Sequence, residues 1–392
     1  MKRVLLGQLS ANGDCFYATT LARQVKHDHP DCHLTWAVSR QCRDVLRNNP
    51  HVDAVWEWDV PDAAAQRMAW DTLEQTVLRV QQGPDAFDKV CLSQIWPNNF
   101  RHYDGTVRPS ILRAYGGALT VPVDSTIVLT EEERAQVEDF AATTAGGAHD
   151  YRVLVECAAS SGQSFVTPAF ALAVAEKVGE VLPGCLFILS THRRLETDAR
   201  NVVWADALNM RQNAALTHHC DMFVGCGSGL TVVATSEAAK PLPNIQILTA
   251  RTSVYASFCH DFEYFGKPSD RFIEMGDPDV ASVADAVVAE LTQGHDAARA
   301  RHHRPLPVSF EFYGSLIDSF LIKRGWFCDA LQSVLTTAER YDGFVGLLQF
   351  AEAILLPRLA EDPAWWNPRR RAEIEPMIAA VQDGLARARG QG

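Results

Sequence analysis

Val4-Leu5-Leu6-Gly7-Gln8-Leu9, the loop Ser10-Ala11-Asn12-Gly13-Asp14 and the segment from Cys15 to Lys26 open the chain and decide its reading. The first piece is a short apolar run of the length of a buried strand. The last has helical spacing, with Phe16, Thr19, Thr20, Arg23 and Gln24 recurring on turns before Pro30 stops it. Strand, polar loop and helix in that order begin a βαβ unit. The alternation continues: His33 to Val38 (strand), Arg40 to Arg47 (helix), Val52 to Trp58 (strand), Asp71 to Gln81 (helix) and Phe87 to Leu92 (strand). Strands alternating with helices imply a mostly parallel sheet covered on both faces.

The small, polar run Thr143-Thr144-Ala145-Gly146-Gly147-Ala148-His149-Asp150 reads as a linker. Beyond it the pattern restarts. Arg152 to Cys157, Cys185 to Ser190, Val202 to Trp204, Met222 to Gly225 and Ile245 to Leu248 read as strands. Pro168 to Val181, Met210 to His219, Leu230 to Ala239 and Val280 to Leu291 read as helices. From about Pro305 no strand pattern follows, and Ser315 to Lys323, Phe327 to Tyr341, Gly343 to Leu359 and Arg370 to Arg389 all suit helices. The expected organisation is an α/β unit over 1–145, a second over 151–305, and a helical extension over 306–392.

Of the 392 residues, 47% are hydrophobic and 21% charged, which excludes disorder over the whole chain. The net charge of −12 argues against bulk nucleic-acid binding, whose affinity comes from neutralised phosphates. It leaves room for a local basic pocket that takes a phosphorylated ligand. No run approaches the roughly 20 apolar residues of a membrane span. The apolar start is too short for a signal-peptide core, so a cytoplasmic location is expected. Ten scattered cysteines without a C-x-x-C pair point to reduced, partly buried thiols.

In open α/β sheets, ligands sit beyond the carboxyl ends of strands, so the loops there are the candidate site. Asp14 lies near a helix start, either as a capping carboxylate or as a general base aimed between the two units. Gly225-Cys226-Gly227-Ser228-Gly229-Leu230-Thr231 joins a strand to a helix. Its glycines permit close approach of a ligand, and free N–H groups at a helix start suit phosphate; a plain tight turn is the other reading. Glu237, farther along that helix, is either a ribose-hydroxyl acceptor or a solvated residue. Thr191-His192-Arg193-Arg194 and Ser160-Ser161-Gly162-Gln163-Ser164 follow two more strands, and their cations and hydroxyls suit a diphosphate. The segment from Arg101 to Leu119, with Tyr103, Arg108, Arg113 and Tyr115, either lines an acceptor site or is an irregular surface loop. His218-His219 reads as a helix end, since no further zinc ligands stand at suitable spacing. Asp277-Pro278-Asp279 reads as an N-cap with proline inside the helix. Arg369-Arg370-Arg371 reads as a solvated helix start, the alternative being contact with lipid headgroups at the inner membrane surface. Neither a metal site nor a cofactor is expected.

Several of these stretches resemble the heptosyltransferase-like glycosyltransferases, glycosyltransferase family nine. The first match runs from Lys2 to Asp59: the strand, the loop ending Gly13-Asp14, the helix with Thr19-Thr20-Leu21, and Asn49-Pro50-His51-Val52-Asp53. The second is Val155 to Pro168. The third is Ala214-Ala215-Leu216 through Asp221 to the Gly225–Gly229 loop, then Glu237 to Pro241. The resemblance implies a GT-B fold, two Rossmann-like domains facing a cleft, with part of Phe310 to Leu359 crossing back to the first domain. It implies a nucleotide-diphosphate sugar donor held by Ser160, Ser161, Gln163, His192, Arg193, Gly227, Ser228, Gly229, Leu230, Thr231 and Glu237. An acceptor (glycan, glycolipid or protein, with lipopolysaccharide core the family's commonest target) would lie by Asn12, Gly13, Tyr103 and Arg108, with Asp14 as base in an inverting, metal-independent transfer.

The chain also departs from the family. Gly227 and Val232 stand where the family has an aspartate and a histidine that help hold the donor. A lysine common in the loop after the first strand of the second domain is missing, Gln163 or Ser164 standing near there, so Arg193, Arg194 or Arg211 would have to meet the phosphate charge. Two other functions compete on the same fold: a nucleotide-sugar epimerase or hydrolase, and a catalytically degenerate protein that binds a partner.

Overall fold

The computed structural model describes residues 1–95, 100–159, 162–341, 344–361 and 368–390. Among these residues, ten strands form two wholly parallel sheets. β1 (Arg3–Gly7), β2 (His33–Ser39), β3 (Ala54–Trp58) and β4 (Lys89–Leu92) lie in the order β3-β2-β1-β4. β5 (Tyr151–Glu156), β6 (Cys185–Ser190), β7 (Val202–Trp204), β8 (Met222–Gly225), β9 (Asn244–Leu248) and β10 (Phe272–Gly276) lie in the order β10-β9-β8-β5-β6-β7. In each sheet the chain winds outward one way and then returns to build the other side. The reversal falls between β1 and β4 in the first sheet and between β5 and β8 in the second. These are the topological switch points, where loops diverge and leave a crevice.

The helices are α1 (Asn12–Asp28), α2 (Ala63–Val80), α3 (Arg108–Arg113), α4 (Glu131–Thr143), α5 (Pro168–Val181), α6 (Gln212–Leu216), α7 (Gly229–Ala234), α8 (Phe258–Tyr264), α9 (Val280–Gln293), α10 (His295–His302), α11 (Phe310–Phe320), α12 (Phe327–Arg340), α13 (Val345–Phe350), α14 (Leu356–Glu361) and α15 (Pro368–Gly390). This is the expected α/β, GT-B type arrangement of two Rossmann-like halves followed by helices. The central strands are sealed on both faces: Val4, Leu5 and Leu6 of β1 and Val153 and Leu154 of β5 have no exposed surface. The ten cysteines are not joined in disulfides, and all but Cys328 are buried.

Several elements differ from their sequence reading, among them α2, which starts at Ala63 rather than Asp71, and α4, α8 and α10, which have no counterpart in it. Arg40 to Leu46 is a 3₁₀ helix. α7 stops at Ala234, five residues short of the expected Ala239. The Thr235 and Ser236 hydroxyls bond back to the carbonyls of Thr231 (2.8 Å) and Val233 (2.6 Å), and such local bonds compete with helix continuation. β10 has no counterpart in the sequence reading, because Glu274 breaks its short apolar run. The carboxylate is buried in the strand and accepts from Ser257 Oγ and the amides of Phe258 and Cys259 at the start of α8.

The helical extension reaches back to the first half. Ser333 Oγ donates to the Tyr103 carbonyl (2.8 Å), the Tyr103 and Tyr313 rings stack at 5.5 Å, and Phe100 stacks on Phe320 at 4.9 Å. It touches the second half too, where Tyr255 meets Phe312 edge to face.

Candidate functional site

The carboxyl end of β1 is held rigidly. Gln94, after β4, accepts from the amides of Leu9 (2.8 Å) and Ser10 (3.0 Å) across the first switch point, and Trp36 donates to the Gln8 carbonyl. The loop then turns into α1 with Ala11 at its N-cap and Asp14 at the third helical position. The Asp14 carboxylate accepts from the Ala11 backbone, half of a capping box. Asp14 is only partly exposed. Burial pushes its pKa up to about 6, against the lowering pull of the Ala11 hydrogen bond and the nearby Arg108 charge. Capping and acid–base character therefore coexist in one side chain.

The second half meets α1 at this point. Gly13 and Gly229 are in backbone contact, and α1 packs along α7 as far as an ion pair between Arg23 and Glu237 (2.5 Å). Gly227 has φ +66°, and a Cβ there would lie 2.8 Å from Leu248 Cδ2. Its amide donates to Gln246 Oε1 (2.8 Å), and its carbonyl accepts from Gln163 Nε2 (3.3 Å).

Beneath the loop lies Glu156, the last residue of β5 and 3% exposed. Its carboxylate accepts from the amides of Cys226 (2.9 Å), Leu230 (2.8 Å) and Thr231 (3.3 Å), and from Thr231 Oγ1 (2.7 Å). Leu230 and Thr231, expected to offer free N–H groups to a phosphate, thus already serve an internal carboxylate. Nothing at sequence level placed Glu156, Gln94 or Gln246 in the site. Glu156 carries a usable signal: it is the single charge closing the apolar run Val153-Leu154-Val155, at a strand's carboxyl end.

Other expected residues are committed elsewhere. Glu237 is held by Arg23. Arg211 is buried and bridges the halves, donating to Glu133 (3.0 Å) and to the carbonyls of Asp44 (3.3 Å) and Arg47 (3.0 Å). Arg194 pairs with Asp206 at 2.7 Å. Tyr103 is fully buried and Arg108 is 4% exposed, so neither side chain lies on an open face, while Arg101 and Gly116 to Ala118 of the same segment are exposed. The Arg108 guanidinium pairs with Asp261 (2.6 Å), donates to the Ala256 carbonyl (2.7 Å) and lies 3.7 Å from the centre of the Phe258 ring. Arg340, from α12, completes this buried cluster by pairing with Asp104 (2.7 Å).

His192 and Arg193 are exposed on the loop after β6, and Ser228 at the seam is partly exposed. Ser160, Ser161, Arg369 and Arg370 lie outside the residues whose side chains are described. His218 bonds the Ala238 carbonyl and His219 faces Glu138. Asp279 caps α9 by accepting from Ser282 N (2.7 Å). Among the described residues no group of three or more His, Cys, Asp or Glu is placed to hold a metal ion, and no helix is long and apolar enough to cross a membrane. A 660 Å³ depression by Glu176, Asp198 and Arg200, and a 450 Å³ one by Arg152, His219 and Lys240, both open at the amino edge of the second sheet, opposite Asp14.

No family model matches the chain, and no curated protein matches it in sequence. Among solved structures it is similar to a family 9 glycosyl transferase from Veillonella parvula (14% identity, 82% of this chain and 97% of that one, TM-score 0.48). It is also similar to the E. coli ADP-heptose lipopolysaccharide heptosyltransferase II (15% identity, 75% and 99%, TM-score 0.49). A third likeness is to a UDP-N-acetylglucosamine 2-epimerase assignment from Listeria monocytogenes (9% identity, 82% and 96%, TM-score 0.46).

Proposed function

We propose that the chain is an inverting glycosyltransferase that moves a sugar from a nucleotide-diphosphate donor to a hydroxyl of a glycan, glycolipid or protein acceptor. The observation that carries this reading is Asp14, a carboxyl poised at about pH 6 beyond the carboxyl end of β1, at the seam where the second half's glycine loop arrives. A base with its pKa just below neutrality is largely ionised at pH 7 yet still proton-hungry, as general-base catalysis requires. The Asp14 carboxylate takes the acceptor hydroxyl's proton. The oxygen bonds to the anomeric carbon from the face opposite the leaving group, the bond from that carbon to the phosphate oxygen breaks, and the nucleoside diphosphate departs with the electron pair. Side chains rather than a metal ion meet its charge in this reading, which assigns that role to His192 and Arg193, both exposed on the loop after β6.

The test is turnover of nucleotide sugars by the pure protein. Asp14→Asn should abolish transfer and leave nucleotide binding nearly intact; undiminished turnover in that variant overturns the mechanism. A second reading, a catalytically silent relative, draws on the Gly13–Gly229 contact and on Glu156's hold on the amides below it. It expects no thermal stabilisation by any nucleoside diphosphate. An epimerase or hydrolase would instead convert donor without any acceptor.

A further inference from the structure

Gln163 ties together three of the loops at the carboxyl edge of the second sheet. It follows β5, its Nε2 donates to the carbonyl of Gly227 after β8, and its own carbonyl accepts from Thr249 N after β9 (2.9 Å). β5 and β8 flank the second switch point, so Gln163 stands at the crevice where this fold class receives ligands. The residue is 5% exposed, and its Oε1 is buried without a hydrogen-bond partner among the described residues. The amide cannot simply be flipped to cure this, since that would set Oε1 against the Gly227 carbonyl oxygen. A buried acceptor left empty is a standing penalty that a ligand donor would relieve.

We infer that Gln163 is a specificity residue whose Oε1 accepts a hydrogen bond from an uncharged N–H or O–H of the nucleotide sugar, and that the diphosphate binds elsewhere. This rests on the donor reading above. A phosphate at neutral pH presents only acceptor oxygens, which Oε1 would repel. The Glu156 carboxylate, under the same pair of loops, adds negative charge that disfavours an anion there. On this inference Gln163, from the stretch Ser160 to Ser164 whose hydroxyls and bare N–H groups read in sequence as suiting the diphosphate, takes the neutral part of the ligand instead. Two parts of a nucleotide sugar carry such donors: the nucleoside and the transferred sugar.

Binding to the full chain is measured by thermal shift and calorimetry with inorganic pyrophosphate, ADP, GDP, UDP, TDP, the parent nucleosides, and the nucleotide sugars of whichever nucleotide binds. Gln163→Met removes the acceptor and keeps the bulk. It should weaken the preferred ligand roughly tenfold while leaving pyrophosphate affinity unchanged; the melting temperature of the free protein should fall, because the Gly227 carbonyl loses the Nε2 donor, so affinities are compared well below it. A loss already seen with the nucleoside assigns the bond to the nucleoside. A loss seen only with the nucleotide sugar assigns it to sugar hydroxyls. If the Met variant fails to fold, the native chain tests the same bond: an analogue of the bound nucleoside or sugar lacking the N–H or O–H donor should bind roughly tenfold more weakly, and unchanged binding by every such analogue overturns the inference. Unchanged ligand affinity in the Met variant, or an equal loss for pyrophosphate, overturns the inference and leaves the donor reading standing. Absence of binding by every nucleotide to the native chain overturns both.

Discussion

Gly13, in the first turn of α1, and Gly229, the first residue of α7, touch backbone to backbone. A Cβ added to Gly13 would lie 2.8 Å from the Gly229 Cα, whereas one added to Gly229 would lie 3.4 Å from the Gly13 Cα. No side chain fits the first position without moving a backbone, and the second is tight but passable. Gly13→Ala should therefore destabilise the chain by about 1–3 kcal/mol, the usual range for overpacking, and Gly229→Ala by less. Denaturant midpoints for the two variants check the order. An unmoved midpoint in Gly13→Ala would mean that the halves do not meet there in solution.

Asp14→Asn should lose transfer and gain stability. The folded state raises the Asp14 pKa from 3.8 to about 6, so the folded chain holds this proton more tightly than the unfolded one. The stabilisation is then fully present below about pH 4 and is lost as pH rises through about 6. At pH 7 the ionised, partly buried carboxylate is a net burden, of order 1–2 kcal/mol once discounted for the solvent that reaches it. The asparagine variant lacks this burden, and its side-chain oxygen can still accept from Ala11. Its stability at pH 7 should exceed that of the native chain, and the gap should close toward pH 4. Native transfer activity should rise with pH and level off above about 6. A variant equally destabilised at both pH values would make Asp14 a plain helix cap.

The sheets are legible in the sequence because buried parallel strands are short apolar runs bounded by turns. Cys185–Ser190 and Met222–Gly225 agree residue for residue. The site is less legible, for a physical reason. A carboxylate such as Glu237 or an arginine such as Arg211 looks alike in sequence whether it faces a ligand or the other half of the same chain. Only the fold shows that Arg23 and Glu133 reach them first. Glu274 misleads in the opposite sense: a charge inside an apolar run, it hides β10 while accepting from the amides at the start of α8, whereas Glu156, at the end of its run, leaves β5 legible.

The Arg108–Asp261 pair joins the two halves in a dry setting, at side-chain exposures of 4% and 2%. Burial raises the Asp261 pKa, with Arg108 and then Arg340 pulling it back. Removing Arg108 leaves the buried Asp261 carboxylate with only the more distant Arg340 (3.7 Å), and breaking such a buried pair costs about 3–5 kcal/mol. Arg108→Met should fall in that range near neutral pH. Adding Asp261→Leu should recover much of the loss, because the orphaned carboxylate disappears. Chemical denaturation of the single and double variants tests this, and additive losses would show that the two residues do not interact.

Glu156 and Glu237 both flank α7, yet they should respond in opposite ways to losing their charge. Glu156 is buried, and its two oxygens accept four hydrogen bonds from donors at the start of α7 and the loop before it. Glu156→Gln would turn an NH₂ group toward amide N–H groups and leave buried donors unmatched, at about 2–4 kcal/mol. Glu237 is 43% exposed at the side chain, and its partner Arg23 keeps the Thr126 hydroxyl and the Pro122 carbonyl. Glu237→Gln should therefore change stability by less than about 1 kcal/mol, and its coupling to Arg23 should shrink further in salt. The same pair of variants separates a structural carboxylate from a ligand-binding one. If a nucleotide stabilises the chain, loss of that effect in Glu237→Gln, with folding intact, would return Glu237 to the donor site and require the Arg23 ion pair to open when the ligand binds.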